Sequence, residues 1–150
     1  MAISIRRARR SEGAAFLSLV DALADFEKLK RPTPAARRRL LKDGFGPHRR
    51  FDPFLAFIDG LPVAYAIVFE TYSSFLARPT LYLEDIFVLP AMRGQGIGLT
   101  LFRRCVREAR QRRCGRMEWV VLDWNRNAIR FYDRYGAKRM KEWLFYRLTL

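Results

Sequence analysis

A chain of 150 residues fits one domain and can bury a core without disulfide or metal staples. Half of it is hydrophobic and 14% aromatic, which excludes a disordered chain, and no apolar run approaches the roughly 20 residues of a membrane span. The net charge of +14, from 29 basic and 15 acidic residues, suits a polyanionic partner, either nucleic acid or an anionic cofactor.

The basic start, Arg6 to Arg10, has no apolar segment behind it, and Glu12, Asp21 and Asp25 follow quickly. A targeting peptide is therefore not expected, and the protein is expected in the cytoplasm. Ile3 and Ile5 alternate as in a first strand over residues 2–8. Ser11 is then expected to cap a helix that carries Phe16, Leu19, Val20, Leu23 and Phe26 at helical spacing. Pro32 and Pro34 are expected to interrupt it, with a second helix from Ala35 to Lys42 ending at Gly44. His48 is the single histidine and lies in a loop-like stretch, which argues against a Ser-His-Asp triad or a His-rich metal site; no metal is expected.

Phe54 to Ile58, a turn at Asp59-Gly60, and Val63 to Tyr72 read as a hairpin. Pro79 is expected to introduce a long strand, Leu81 to Leu89, stopped by Pro90. Arg93-Gly-Gln-Gly-Ile-Gly98 follows and opens a helix with Ile97, Leu101, Cys105 and Ala109 on one face, widened by Phe102 and Val106. Cys105 and Cys114 have no metal-type or CxxC spacing and read as small reduced hydrophobes. Met117 to Leu122 reads as a buried strand, Asn125 to Tyr135 as a short helix ending at Gly136, and Trp143 to Leu150 as a closing strand. No linker or repeat divides the chain. The expectation is one α/β (α+β) domain over residues 1–150, a mixed sheet with helices on its faces.

The turn Arg93 to Gly98 lies between a strand and a helix N-terminus, where unpaired amides and the helix dipole favour an anion. Gly94, Gly96 and Gly98 remove side chains that would keep a phosphate from the backbone. A Walker loop needs Gly-Lys-Ser/Thr at its end, whereas this turn has Gly98-Leu99-Thr100; the dinucleotide fingerprint needs a glycine where Leu99 stands. By itself such a sequence also serves as an ordinary tight turn.

The R-x-x-G-x-G pattern of Arg93 to Gly98 resembles the acetyl-CoA pyrophosphate motif of the GNAT acetyltransferases. Trp124-Asn-Arg-Asn-Ala-Ile-Arg-Phe-Tyr132 resembles the same family's N-x-x-A-x-x-x-Y segment. Asp43-Gly-Phe-Gly46 and Leu81-Tyr-Leu-Glu-Asp-Ile-Phe-Val88 are similar to the spermidine/spermine acetyltransferases and their thialysine-acetylating relatives. The resemblance implies the GNAT fold, its sheet mostly antiparallel, with acetyl-CoA as cosubstrate and a primary amine of a small molecule as acceptor. It also implies a homodimer.

The cofactor residues it implies are Ile86, Phe87 and Val88 on the strand, Arg93, Gly94, Gln95, Gly96, Ile97 and Gly98 at the turn, and Asn125 and Ala128. Tyr132 is the implied proton donor to the departing thiolate, with packing as a core aromatic as its alternative. Glu84 is the candidate base, with a surface ion pair as its alternative. Glu27, Glu84, Asp85 and Glu142 are the candidate acceptor contacts. Strand alternation puts Glu84 and Asp85 on opposite faces unless a bulge intervenes. Polyamine-specific relatives carry acids where this chain has Lys28-Leu29-Lys30-Arg31, so the expected acceptor is a smaller amine, such as thialysine or another diamino acid. The alternative is acetylation of a protein or ribosomal N-terminus, docked through the basic surface.

Overall fold

In the computed structural model, which describes residues 2–150, five strands lie side by side in chain order. They are β1 (Ile3–Arg7), β2 (Asp52–Ile58), β3 (Leu61–Ser73), β4 (Arg78–Val88) and β5 (Arg116–Glu118). The first four are antiparallel neighbours and β5 runs parallel to β4, the mixed and mostly antiparallel sheet the sequence predicts. Asp59 and Gly60 join β2 to β3 with φ of 48° and 83°, the left-handed pair that matches strand twist in a two-residue loop. Pro79 lies inside β4, opposite Tyr72, instead of ahead of the strand. It is tolerated because it stands one residue from the strand's start, where a missing donor costs little.

Helix α1 (Gly13–Phe26) begins two residues after Ser11, which lies in a single 3-10 turn and makes no cap. Glu12 holds the entry instead: its carboxylate accepts from both terminal nitrogens of the Arg6 guanidinium, at 2.8 and 2.7 Å, and from the Arg9 amide at 2.7 Å. Helix α2 (Pro34–Phe45) starts on the proline expected to interrupt. At the first helical position Pro34 lacks only an N–H that would have had no partner, and Thr33 Oγ1 accepts from the Ala36 amide at 3.2 Å. The helix runs through Gly44 to Phe45 and is capped by Gly46.

Alternation divides the sheet into two covered faces. Leu55, Phe57, Tyr65, Ile67 and Phe87 meet Phe16, Leu17 and Leu19 of α1, with Leu40 and Leu41 of α2 behind them. The intervening residues Phe54, Ala56, Ala64, Ala66 and Val68 are equally buried, on the side taken by α3 (Ile97–Gln111). Of its expected stripe, Ile97, Leu101, Phe102, Cys105 and Ala109 are buried and Val106 is half-buried.

Buried Glu108 interrupts that stripe. It accepts from Arg104 at 3.0 Å, Arg112 at 2.8 Å and Arg7 at 3.3 Å, while Asp52 binds Arg7 and Arg112. Burial raises the Glu108 pKa, but hydrogen bonds from Arg112 and Arg104 more than offset it, so the carboxyl sits below its ordinary range.

The chain up to Trp119 forms one compact unit and Val120–Leu150 a second, smaller one. In the second unit α4 (Arg126–Tyr135) is capped by Asn125 and stopped by Gly136 at φ 102°. Of the strand expected over Met117 to Leu122, only the part beside Thr80–Tyr82 is paired, and no strand is assigned to Trp143–Leu150. Apolar alternation reports a preference for extended backbone; a strand exists only where its amides find a ladder. No helix among the described residues is long and apolar enough to cross a membrane.

Candidate active site

The β3–β4 ladder slips by one residue. Ile67 stands opposite Asp85 and Val68 opposite Leu83, so Glu84 is the extra residue of a bulge. The bulge shifts the alternation and brings Asp85 to the face of Tyr65, Ile67 and Phe87. Tyr65 donates its hydroxyl to Asp85 Oδ2 at 2.9 Å. Burial pushes the Asp85 carboxyl up to about 6; the Tyr65 hydrogen bond opposes this, and the charges of Glu84 and Glu27 add to it. Burial also raises the Glu27 carboxyl, at the C-terminal end of α1. Burial, followed by the Asp85 charge, holds the Tyr65 phenol well above its ordinary value. Three of the four candidate acceptor contacts therefore form one acidic cluster, with Glu84 its exposed member.

The raised Asp85 pKa makes a stability prediction. In the interval between its unfolded value near 3.9 and about 6, the folded state holds the proton more tightly than the unfolded chain. Its stabilising contribution is full below about pH 4 and is lost as pH rises through about 6. Asp85→Asn cannot ionise and still accepts from Tyr65. It should be more stable than the parent at about pH 7.5, by ~1–3 kcal/mol, and equal to it near pH 4, in urea unfolding. A stability difference that does not change with pH would refute the ionisation penalty.

The glycine turn follows β4. Gly94 and Gly96 both have φ of 80°, and a Cβ on either would meet nothing within 4 Å, so the backbone is open to a ligand. Gly96 occupies the N-cap of α3 without a side-chain cap, and its carbonyl takes the Thr100 amide at 3.0 Å. The amides of Ile97, Gly98 and Leu99 precede that first helical bond and have no acceptor within the helix. Arg93, which opens the turn, donates its Nε–H to the Val88 carbonyl at 3.0 Å, and its guanidinium lies over Phe26 at 4.7 Å and Phe87 at 5.3 Å. Arg93 thereby ties the turn to the residue before Glu27 and to the end of β4, which sets the turn beside the acidic cluster.

Strand β4 has two edges here. Leu89 donates to Val63 at 3.0 Å, so by alternation the amides of Phe87 and Asp85 face β3, while those of Ile86 and Val88 face the other way. On that side the β5 ladder ends at Tyr82. Of the implied cofactor residues on the strand, Ile86 and Val88 therefore turn their amides away from β3 and Phe87 does not.

In the second unit, Asn125 Oδ1 accepts from the Ala128 amide at 3.3 Å, and Asn125, Ala128 and Tyr132 recur at the spacing of one helix face. The Tyr132 ring stands edge-on to Phe131 at 5.5 Å. Glu142 follows α4 in the tail. Among the described residues, no group of three or more His, Cys, Asp or Glu is placed to hold a metal ion. Burial pushes the Cys105 thiol up to about 12, which makes it a poor nucleophile. Sequence reasoning missed Tyr65, whose signal was a tyrosine at an inward strand position, where its hydroxyl needs a partner.

The chain matches the acetyltransferase (GNAT) family model over residues 16–137. It is 34% identical over 154 residues to a thialysine N-epsilon-acetyltransferase of Mus musculus, covering 95% of this chain and 90% of that protein. It is 42% identical over 91 residues to an L-ornithine N5-acetyltransferase of Arabidopsis thaliana, covering 61% of this chain and 40% of that protein. Among solved structures, a probable acetyltransferase superposes with a TM-score of 0.86 at 20% identity, covering 98% of this chain and 97% of that one.

Proposed function

The chain belongs to the GNAT acetyltransferase family, and from that premise we propose that it transfers the acetyl group of acetyl-CoA to the side-chain amine of a small diamino acid. The observation that carries this reading is the cluster of Glu27, Glu84 and Asp85 beside an open anion-binding turn. An alkyl ammonium with a pKa of roughly 10.4 is neutral in only about one molecule in a thousand at pH 7, so an acceptor must be held and then deprotonated. Asp85 and Glu27 hold the ammonium. Glu84, exposed at the bulge, takes its proton directly or through water.

The amides of Ile97, Gly98 and Leu99, with the bare backbone at Gly94 and Gly96, receive the pyrophosphate. Arg93 and Gln95 shape the turn. Ile86 and Val88 offer their outward edge to the amide-bearing arm of the cosubstrate, and the Val88 N–H polarises the thioester oxygen, with Phe87 packed behind it. The family's motif gives Asn125 and Ala128 the role of contacting the same arm, and gives Tyr132 the return of a proton to the thiolate. In this reading both units belong to one acetyltransferase domain, in line with a family match that runs across both, and the enzyme works as a cytoplasmic homodimer.

A diamino acid fits better than a polyamine. Arg31 is paired with Asp25 at 2.6 Å, but Lys28 and Lys30 remain exposed just after Glu27, on a protein whose +14 charge repels long polycations. The relatives above are named for thialysine and ornithine. The test is kcat/KM for thialysine, ornithine, lysine, putrescine, spermidine and a basic peptide at one ionic strength. The diamino acids should lead spermidine by about tenfold or more, the sum of two or three weak charge effects. A lead for spermidine would overturn the small-acceptor reading, and a lead for the peptide would favour protein acetylation.

A further inference from the structure

We propose that Tyr65 is a positioning residue for the acceptor: its buried hydroxyl fixes Asp85 through Oδ2 and leaves Oδ1 to receive the acceptor's ammonium. The proposal rests on the acetyltransferase reading above.

Tyr65 is fully buried on β3, one of the largest enclosed side chains of the core. Its ring stands edge-on to Phe16 at 5.7 Å, and Phe16 in turn packs on Phe45 and Phe51, so the phenol is set by packed aromatics from α1, α2 and the bend before β2. Tyr65 pairs with Phe87 and reaches Asp85 diagonally across the strands, at 2.9 Å from hydroxyl to Oδ2. No donor among the described residues reaches Oδ1 of Asp85. A carboxylate held by one oxygen on a rigid phenol presents the other in a fixed direction, which is what orienting one ammonium requires.

The charged surroundings explain why a phenol serves here. The groups that act on Asp85 are Tyr65 from β3, Glu84 from β4 and Glu27 from the end of α1, with Tyr82 also coupled to it on β4. None of them is cationic. The nearby Arg93 is bonded to the Val88 carbonyl and laid over Phe87 and Phe26. Until an ammonium arrives, the Tyr65 hydroxyl is therefore the group that favours the charged form of Asp85. Burial and the neighbouring carboxylate keep the phenol protonated, so it acts as a donor throughout the physiological range. Phenylalanine at position 65 would fill the same space but let Asp85 take up a proton more readily and weaken its hold on a cation.

Two variants and two readouts test this. The Asp85 carboxyl is titrated by carbon NMR in the free protein, with its signal assigned by Asp85→Asn, and kcat/KM for ornithine is followed against pH. In Tyr65→Phe the Asp85 midpoint and the acid limb of kcat/KM should rise together. KM for ornithine at neutral pH should rise about tenfold while kcat changes less than about threefold, the pattern of lost binding. Asp85→Asn keeps the acceptor for Tyr65 but loses the charge, and should lower kcat/KM at least as much; adding Tyr65→Phe to it should change nothing further. An Asp85 midpoint that stays put in Tyr65→Phe, or a midpoint that moves without the acid limb or KM, overturns the proposal. If the parent acetylates neither ornithine nor thialysine, the functional reading fails separately, and the NMR midpoint alone decides whether Tyr65 governs Asp85. If Tyr65→Phe does not fold, undiminished kcat/KM in Asp85→Asn overturns the proposal and a large loss supports it.

Discussion

Gly96→Asp is expected to abolish acetyl-CoA binding while leaving a folded protein. Gly96 is left-handed at φ 80° and caps α3, and a Cβ there would meet no atom within 4 Å, so the substitution causes no clash. Aspartate is among the residues that tolerate this conformation best, at a backbone cost of about 1–2 kcal/mol. The ligand's pyrophosphate, however, would face a carboxylate beside the amides of Ile97, Gly98 and Leu99, which have no acceptor within the helix. Loss of those contacts plus like-charge repulsion should weaken affinity by at least ~100-fold, or about 2.7 kcal/mol. Gly96→Asn, of the same shape without the charge, should lose much less. Unchanged acetyl-CoA affinity by calorimetry in Gly96→Asp would remove the turn from the cosubstrate site.

Tyr132→Phe is expected to lower kcat by about 10- to 1000-fold with little change in acetyl-CoA affinity. The substitution removes one hydroxyl and keeps the ring that packs on Phe131, so α4 and its Asn125 cap should be intact. An effect confined to kcat separates a proton donor to the leaving thiolate from a residue that merely fills space. Undiminished turnover with the best acceptor would mean that another group, or bulk water, protonates the thiolate.

Local chemistry was legible wherever one residue type decides the backbone. Asp59-Gly60 has few alternatives to a tight hairpin turn, and the α3 stripe has the period of its helix. The glycine turn was legible for the same reason. Pro34 was misread because a proline marks both an interruption and a first helical turn, and only the Thr33 cap decides between them. The bulge at Glu84 was not legible, since a register slip depends on how two strands settle against each other. With it went the joint placement of Glu84 and Asp85, left open as a condition.

Tyr65 and Glu108 share another cause. Alternation and helical phase mark both positions as inward, but their partners, Asp85 for one and Arg7, Arg104 and Arg112 for the other, include residues distant in sequence. Arg93 was legible as part of the motif but its contacts were not: the planar guanidinium stacks on two aromatic rings and bonds a strand carbonyl.

The most direct test of acetyl transfer to a small amine is a product assay with the purified protein, acetyl-CoA and thialysine or ornithine. Free thiol is followed continuously, and the acceptor is recovered for mass spectrometry and NMR. The account predicts one acetyl group on the side-chain nitrogen for each CoA thiol released, with no acetyl left on the protein, because direct attack by the amine needs no acyl-enzyme. Thiol release without an acetylated amine, or no release with any small amine at saturating acetyl-CoA, would contradict it.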